Sequence, residues 1–253
     1  MAQKMTDNNK PYVMALFSGA AYKNPEDAKK IFDDYQFINQ KFIDANGAQC
    51  YVIWNDDNVV VIFRGTEPNQ WSDVKADLKT FKTTSMYKDG FVHGGFKDEV
   101  DKVWDEIDTT VSVMEDRQIH VTGHSLGGAM ATICAKRLSE EYENIHCLYT
   151  FGSPRVGNPK WCRSHKVTHY RFQNNNDMVC KVPFWIMGFR HHGTNYYMNY
   201  RGKVVKLRWW RRMIDSMRGR LRALFKFQLF DGIYDHDIST YANRLKDVVL
   251  DSK

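Results

Sequence analysis

Apolar positions recur at three-to-four spacing through Pro11–Tyr22 and again from Asn24 to Ile43, which predicts two helices at the start of the chain. The pattern then changes. Ala48–Trp54 and Val59–Phe63 read as strands, and Asn55-Asp56-Asp57-Asn58 between them supplies turn residues, so a hairpin is expected. Phe96 to Val113 returns to helical spacing. Gln118–Thr122 reads as a short buried strand, and Ala129–Ala135 begins a helix rich in small residues. Strands follow at Ile145–Phe151 and Val167–Gln173, then a second hairpin at Tyr196–Tyr200 and Lys203–Leu207 around Arg201-Gly202. Ile238, Tyr241, Leu245 and Val248 share one face of a closing helix. Strands alternating with helices predict an α/β fold, with a mostly parallel sheet covered on both faces. No internal repeat, low-complexity tract or linker interrupts the pattern, so residues 1–253 are expected to form a single domain.

Between the strand ending at Thr122 and the Ala-rich helix lies Gly123-His124-Ser125-Leu126-Gly127-Gly128. Strand, G-x-S-x-G, helix is the setting of a nucleophile elbow, in which the chain turns sharply and leaves no room for side chains two positions either side of the serine. Gly123 and Gly127 occupy both places. The plainer alternative is a glycine-rich turn whose serine only caps the helix. A serine hydroxyl becomes a nucleophile when a base takes its proton, and the base must itself be oriented. On α/β-hydrolase folds the chain order is serine, acid, histidine. Asp177 lies just past the strand ending at Gln173, where a strand-end loop belongs, although an Asx residue that merely forms the turn is an alternative there. Of nine histidines only His191, His192 and His236 follow it. His236 immediately precedes the last helix, flanked by Asp235 and Asp237, which stay open as orienting carboxylates even though sequence neighbours rarely aim at the same ring. His191 and His192 are adjacent, and adjacent residues on a strand point to opposite faces, so structural polar roles are favoured over a metal pair. The N–H of Leu126, at the helix N-terminus, is expected to serve as an oxyanion donor.

His124-Ser125-Leu126-Gly127-Gly128 resembles the elbow of the class 3 lipase family, and further segments follow in that family's order. Phe63-Arg64-Gly65-Thr66 resembles its oxyanion strand end, Trp71 with Asp77-Leu78 its lid, and Val92-His93-Gly94-Gly95-Phe96 the start of the helix before the elbow strand. Thr150 to Asn158 resembles the strand and turn after the elbow helix. Asp177 with Val179, Val182 and Pro183 matches the N-D-x-V-x-x-V-P setting, with Cys180 departing from a position often held by proline, and Asp235-His236 through Tyr241 matches a D-H-x-x-x-x-Y ending. The resemblance implies an α/β-hydrolase fold and a serine hydrolase with Ser125, Asp177 and His236 as the triad, supported by His124. It also implies a second oxyanion donor at Thr66, through its N–H and hydroxyl, with Asp77 holding that hydroxyl. Trp71, Val74, Leu78 and Phe81 form an apolar stripe at helical spacing, where the family places a mobile lid; plain core packing is the alternative. Acylglycerols are the implied substrate class. Such a mechanism needs no metal or cofactor.

Charge adds one feature. The chain carries a formal +6, but 186–228 holds 11 basic residues against one acid, Asp215, which makes that segment +10 and leaves the remainder at −4. Within it Trp210, Met213, Ile214, Met217, Leu221, Leu224 and Phe225 fall on one helical face, with arginines on much of the other. Trp209, Trp210, Arg211, Arg212, Arg218 and Arg222 are therefore expected at an anionic membrane surface. A solvated basic face over a buried stripe is one alternative, and nucleic-acid binding is disfavoured because no nucleic-acid fold accompanies it. Phospholipase A1 action on anionic membranes and a membrane-binding protein with an idle hydrolase site remain alternatives to the lipase. No apolar run approaches the about 20 residues that span a bilayer. The first ten residues show no apolar signal core, and five cysteines without metal-type spacing read as thiols rather than disulfides, Cys134, Cys147 and Cys180 being buried ones. An intracellular protein is expected, either peripheral on a membrane or cytoplasmic. Oligomeric state is not readable.

Overall fold

The structure is a computed structural model and describes residues 3–66, 82–114, 116–205, 214–215, 235–246 and 248. Helices α1 (Lys10–Ala20) and α2 (Pro25–Asp34) open the chain. Pro25 sits in the first turn of α2 and Asn24 Oδ1 accepts from the Asp27 N–H at 2.9 Å, a side-chain cap. The helix expected from Asn24 to Ile43 stops at Asp34. Gln36 takes φ of 67°, and Asn39–Ala45 is instead strand β1, paired antiparallel along its length with β2 (Ala48–Trp54). Asn46 and Gly47 join them at φ of 50° and 87°, the positive-φ pair that suits a two-residue hairpin. β1 is an edge strand with a largely polar exposed face, so Phe42 and Ile43 among polar residues imitate helical spacing.

β2 and β3 (Asn58–Phe63) form the expected hairpin, turned by Asn55 Oδ1 accepting from the N–H groups of Asp57 and Asn58. A separate two-stranded ribbon, β4 (Lys82–Thr84) and β5 (Phe91–His93), leads into α3 (Gly94–Val111). Then come β6 (Gln118–His124), α4 (Leu126–Glu141), β7 (Ile145–Phe151), α5 (Pro159–Ser164), β8 (His169–Asn174), β9 (Thr194–Met198), β10 (Val204–Val205) and α6 (Ile238–Leu245). The main sheet runs β1-β2-β3-β6-β7-β8-β9-β10; its middle, β3 to β9, is parallel, and antiparallel pairs flank it on both sides. This is the α/β-hydrolase type of architecture anticipated above.

Alternate residues of β3 feed two cores, as a strand buried on both faces must. Val59, Val61 and Phe63 pack under α3 and α4 with Val100, Ile107, Ala131 and Leu138, whereas Val60 and Ile62 pack on the other face with Phe17 of α1, Phe32 of α2 and Tyr241 and Leu245 of α6. The small residues of α4 let it lie close to the sheet; Gly127 through Leu138 are all buried. Every parallel strand points its carboxyl end to one edge, so the loops after Phe63, His124, Phe151 and Asn174 meet there. That is where α/β sheets place their sites.

Among the described residues no helix is long and apolar enough to cross a membrane. Within the basic stretch, 206–213 and 216–228, with Trp209, Trp210, Arg211, Arg212, Arg218 and Arg222, lie outside the described residues, as does 67–81 with Trp71, Val74, Asp77 and Leu78. Asp215 is described: its buried carboxylate accepts from the Tyr197 O–H at 2.8 Å and the Tyr200 N–H at 3.1 Å, which fastens this point to β9.

Candidate active site

β6 ends at His124 and α4 begins at Leu126, so one residue makes the turn. Ser125 takes φ of 60° and ψ of −130°, a region that a residue with a side chain rarely occupies. Its N–H donates to the Phe151 carbonyl at 2.9 Å, and its own carbonyl accepts from Gly128 at 3.0 Å. The surroundings explain the glycines. A Cβ on Gly123 would overlap the Gly127 carbonyl, and one on Gly127 would overlap the Phe63 carbonyl. The side chain of Ser125 is fully buried, and its Oγ meets no hydrogen-bond partner among the described residues. A serine that only capped α4 would hydrogen-bond the helix's first N–H groups; this one does not.

The carboxylate that meets His236 is Asp177. The His236 Nδ1–H donates to Asp177 Oδ2 at 2.9 Å, which leaves the lone pair on Nε2, as a general base requires. Asp177 is fully buried and well supplied with donors: the Tyr241 O–H reaches Oδ2 at 2.6 Å and the Val179 N–H reaches Oδ1 at 2.9 Å. Burial, followed by the Asp177 charge, pushes the Tyr241 phenol well above its usual range, so it remains a donor. The flanking acids have other work. Asp235 accepts from Asn174 Nδ2 at 3.2 Å and from the Asn176 N–H at 2.9 Å, clamping the histidine loop to the aspartate loop. Asp237 is exposed and bonds Ser239 and Thr240 at the start of α6.

Gly152 lies beneath this pair. It has φ of 60°, and a Cβ there would fall 2.8 Å from both Asp177 Oδ2 and His236 Nδ1. Because Gly152 follows Phe151, whose carbonyl holds the Ser125 N–H, the acid–base pair and the elbow share one strand end. His124 secures the other side. Its Nε2–H donates to the His236 carbonyl at 2.6 Å, its ring centre is 4.5 Å from that of His236, and its Nδ1 accepts from the Tyr22 O–H at 2.9 Å. Burial holds the His124 pKa well below the usual histidine range, so the neutral tautomer persists. Tyr22 carried no sequence signal beyond closing the first helix, and Tyr241 was visible only as the end of the histidine motif.

Thr66 is half-buried at the end of the β3 loop. A Cβ on Gly65, beside it, would come 2.6 Å from the His124 carbonyl and 3.2 Å from Ser125 Cβ, so this loop passes directly over the elbow. Leu126 supplies the first N–H of α4, one that a helix leaves without an internal partner. The arrangement presents a strained serine, an oriented imidazole and two candidate donors at one edge.

The family model described as Lipase (class 3) matches residues 60–187, half of the chain. The chain belongs to the class 3 lipase family. A lipase from Rhizomucor miehei is 32% identical over 157 residues, covering 57% of this chain and 42% of that protein. The secreted mono- and diacylglycerol lipase 1 of Fusarium solani is 34% identical over 125 residues, 47% and 37% of the two chains. A solved structure described as a serine protease triad forming the catalytic centre of a triacylglycerol lipase superimposes with a TM-score of 0.63 at 26% identity, over 75% of this chain and 79% of that one. A Rhizomucor miehei lipase propeptide complex gives 0.65 at 26% identity, over 78% and 69%. The chain spans about two fifths of the length of the curated relatives it matches.

The chain carries further histidines away from the site. His191 Nε2 donates to the Cys180 carbonyl at 2.8 Å, and His192 stacks on His165 at 3.9 Å with its Nδ1 3.2 Å from that of His169. His120 lies between Cys147 Sγ (3.3 Å) and Asn58 Oδ1 (3.0 Å) at the opposite end of the sheet. That set resembles a thiol nucleophile, but burial raises the Cys147 thiol to about 11 and lowers His120 to about 3, so no thiolate forms near neutrality. Burial also lowers His93 and His192 to about 4. These folded values lie below the unfolded value near 6.5, so the unfolded chain binds more protons as pH falls from about 6.5. Stability is complete above that pH and is lost progressively toward 4. The melting temperature is therefore expected to fall steeply between pH 6.5 and 4.5, before most carboxylates titrate. A flat melting temperature across that window would contradict burial of neutral histidines.

Proposed function

We propose that this chain is a serine hydrolase of lipid carboxylic esters, an acylglycerol lipase, acting through an acyl-enzyme. The observation that carries the reading is the His236–Asp177 hydrogen bond beside the strained Ser125. Ser125 Oγ attacks the ester carbonyl while His236 Nε2 takes its proton and then delivers it to the leaving alcohol. Asp177 holds the imidazole in the required tautomer and stabilises the imidazolium that forms. The N–H groups of Leu126 and Thr66, with the Thr66 hydroxyl, receive the oxyanion. Water, activated by His236, cleaves the acyl-enzyme. Each step uses groups of this chain and water, with no metal or cofactor. The substrate partner is a lipid ester at a surface, and nucleic acid has no part in the reading; an intracellular setting is part of the proposal.

A second reading, phospholipase A1 action on anionic membranes, is favoured by the +10 charge of 186–228. A third, a membrane-binding protein with an idle hydrolase site, is separated by a fluorophosphonate probe, whose labelling should depend on Ser125. Hydrolysis of triacylglycerol emulsion, anionic phospholipid vesicles and a soluble short-chain ester, with Ser125→Ala as blank, tests the substrate class. Acylglycerol is overturned if only the phospholipid is cleaved.

Thr66→Val keeps the backbone donor and removes the hydroxyl. One oxyanion donor is worth roughly 10²–10³ in rate. A fall of that size in kcat on the soluble ester is expected, with little change in KM. Wild-type turnover would remove the hydroxyl from the oxyanion site.

A further inference from the structure

Beyond Asp177 the chain leaves the site through Met178 to Met187 and exposes a series of large apolar side chains. Phe184 is 59% exposed, Trp185 62% and Ile186 73%, with Met178 half exposed. Single exposed apolar residues are ordinary, but three consecutive ones of this size on a turn are not. The backbone beneath them is firmly held. Trp185–Met187 is one turn of 3-10 helix, closed by the Met187 and Gly188 N–H groups donating to Phe184 and Trp185 carbonyls at 3.0 Å each. Arg155 Nη1 donates to the Pro183 carbonyl at 2.8 Å, and Arg190 Nη1 donates to the Trp185 carbonyl at 2.6 Å. These side chains therefore project from a fixed knob.

Along this stretch of the sequence the charge has one sign. From Met178 to His192 the chain holds Lys181 and Arg190 and no acid. The Arg190 guanidinium sits 5.8 Å from the centre of the Trp185 ring, and Lys82 of β4 stands 5.8 Å from that of Phe189, just after the knob. Tryptophan and phenylalanine with a basic rim match the boundary between headgroups and acyl chains of a negatively charged bilayer: the rings enter the boundary and the cations meet the phosphates. The knob starts one residue after the aspartate of the acid–base pair, so docking there would bring the cleft to the lipid.

We infer that the turn from Met178 to Met187 is a docking surface for anionic lipid, with Phe184, Trp185 and Ile186 entering the surface and Lys181 and Arg190 meeting its charge. This rests on the reading of the chain as a lipid-ester hydrolase, and of the basic stretch 186–228 it takes in only Ile186, Met187 and Arg190.

The test uses the full chain carrying Ser125→Ala, so that lipid is bound and not consumed. Flotation with phosphatidylcholine vesicles containing phosphatidylglycerol is compared with pure phosphatidylcholine. A second protein adds Phe184→Ser, Trp185→Ser and Ile186→Ser. Removing three apolar anchors should weaken binding to the anionic vesicles about 100-fold. The parent should bind pure phosphatidylcholine more weakly than anionic vesicles. With Ser125 intact, the triple variant should hydrolyse a soluble short-chain ester within twofold of wild type and melt at the same temperature. Unchanged vesicle binding overturns the inference, and equal binding to both vesicles overturns its anionic part. Loss of soluble-ester turnover or of melting temperature shows the three side chains to be packing residues. A parent dimer that dissociates in the triple variant, seen by light scattering, assigns the knob to a second copy instead. If wild type fails on the soluble ester while vesicle binding behaves as expected, the hydrolase reading fails and the docking surface stands.

Discussion

Ser125→Ala and His236→Ala are each expected to lower turnover of a soluble short-chain ester by roughly 10⁶-fold, and the double variant should be no worse than either alone, because nucleophile and base act as a unit. Ser125 Oγ is buried and meets no partner among the described residues, so removing it orphans no hydrogen bond. The alanine variant should also relax little of the elbow, since φ of 60° strains alanine as it strains serine. His236→Ala is harsher: it strips a donor from a fully buried carboxylate that retains the Tyr241 and Val179 bonds. Its melting temperature should drop while that of Ser125→Ala holds. Single-turnover kinetics on both, with melting curves alongside, check the pair. Retained activity in His236→Ala, with loss in His192→Ala, would move the base. The structure argues against that, because His192 is stacked on His165 and hydrogen-bonded to His169, away from Ser125.

The parts of the fold that were readable in the chain are those where one local rule dominates. The unbroken apolar run Val59–Phe63 and the largely apolar Ile145–Phe151 are central strands because a parallel strand is buried on both faces. Gly123 and Gly127 were readable because contact distance forbids any other residue at those turns. Periodicity within Asn24–Ile43 reads β1 as helix because its face is half polar and its identity depends on β2, a partner that local spacing does not register; the Asn46-Gly47 turn is the signal that marks it. The site divides in the same way. Ser125, Asp177 and His236 announce themselves by order and setting, but the choice of Asp177 over Asp235 and Asp237 depends on where three loops meet. Tyr22 and Gly152 act through contacts more than 80 residues away in sequence, with His124 and His236. No local pattern encodes such contacts.

That choice of acid supplies the other large effect. Asp177→Asn should lower turnover about 10⁴-fold while Asp235→Asn lowers it only a few-fold, although the two carboxylates flank the same histidine loop. An amide at position 177 places an NH₂ where an acceptor stood. The carboxylate accepts on both oxygens, from the Val179 N–H at Oδ1 and from His236 and Tyr241 at Oδ2, and a carboxamide has an oxygen for only one of these two sides. Held at the Oδ1 position by the Val179 N–H, the carboxamide oxygen leaves the NH₂ facing His236 Nδ1 and stabilises the tautomer with its proton on Nε2, which cannot take the proton of Ser125. The fold should tolerate this, since the side chain keeps its volume, the Val179 bond remains and the Tyr241 oxygen can accept from the amide. At position 235 the same substitution retains one oxygen to accept from either Asn174 or Asn176. The lost bond loosens the clamp between loops, which costs about 1–3 kcal/mol of stability and little chemistry. The two variants therefore invert: one loses kcat and retains its melting temperature, the other loses melting temperature and retains kcat. An Asp235→Asn variant that lost 10⁴-fold in kcat at unchanged stability would instead make Asp235 the orienting carboxylate, against the 2.9 Å bond to Asp177.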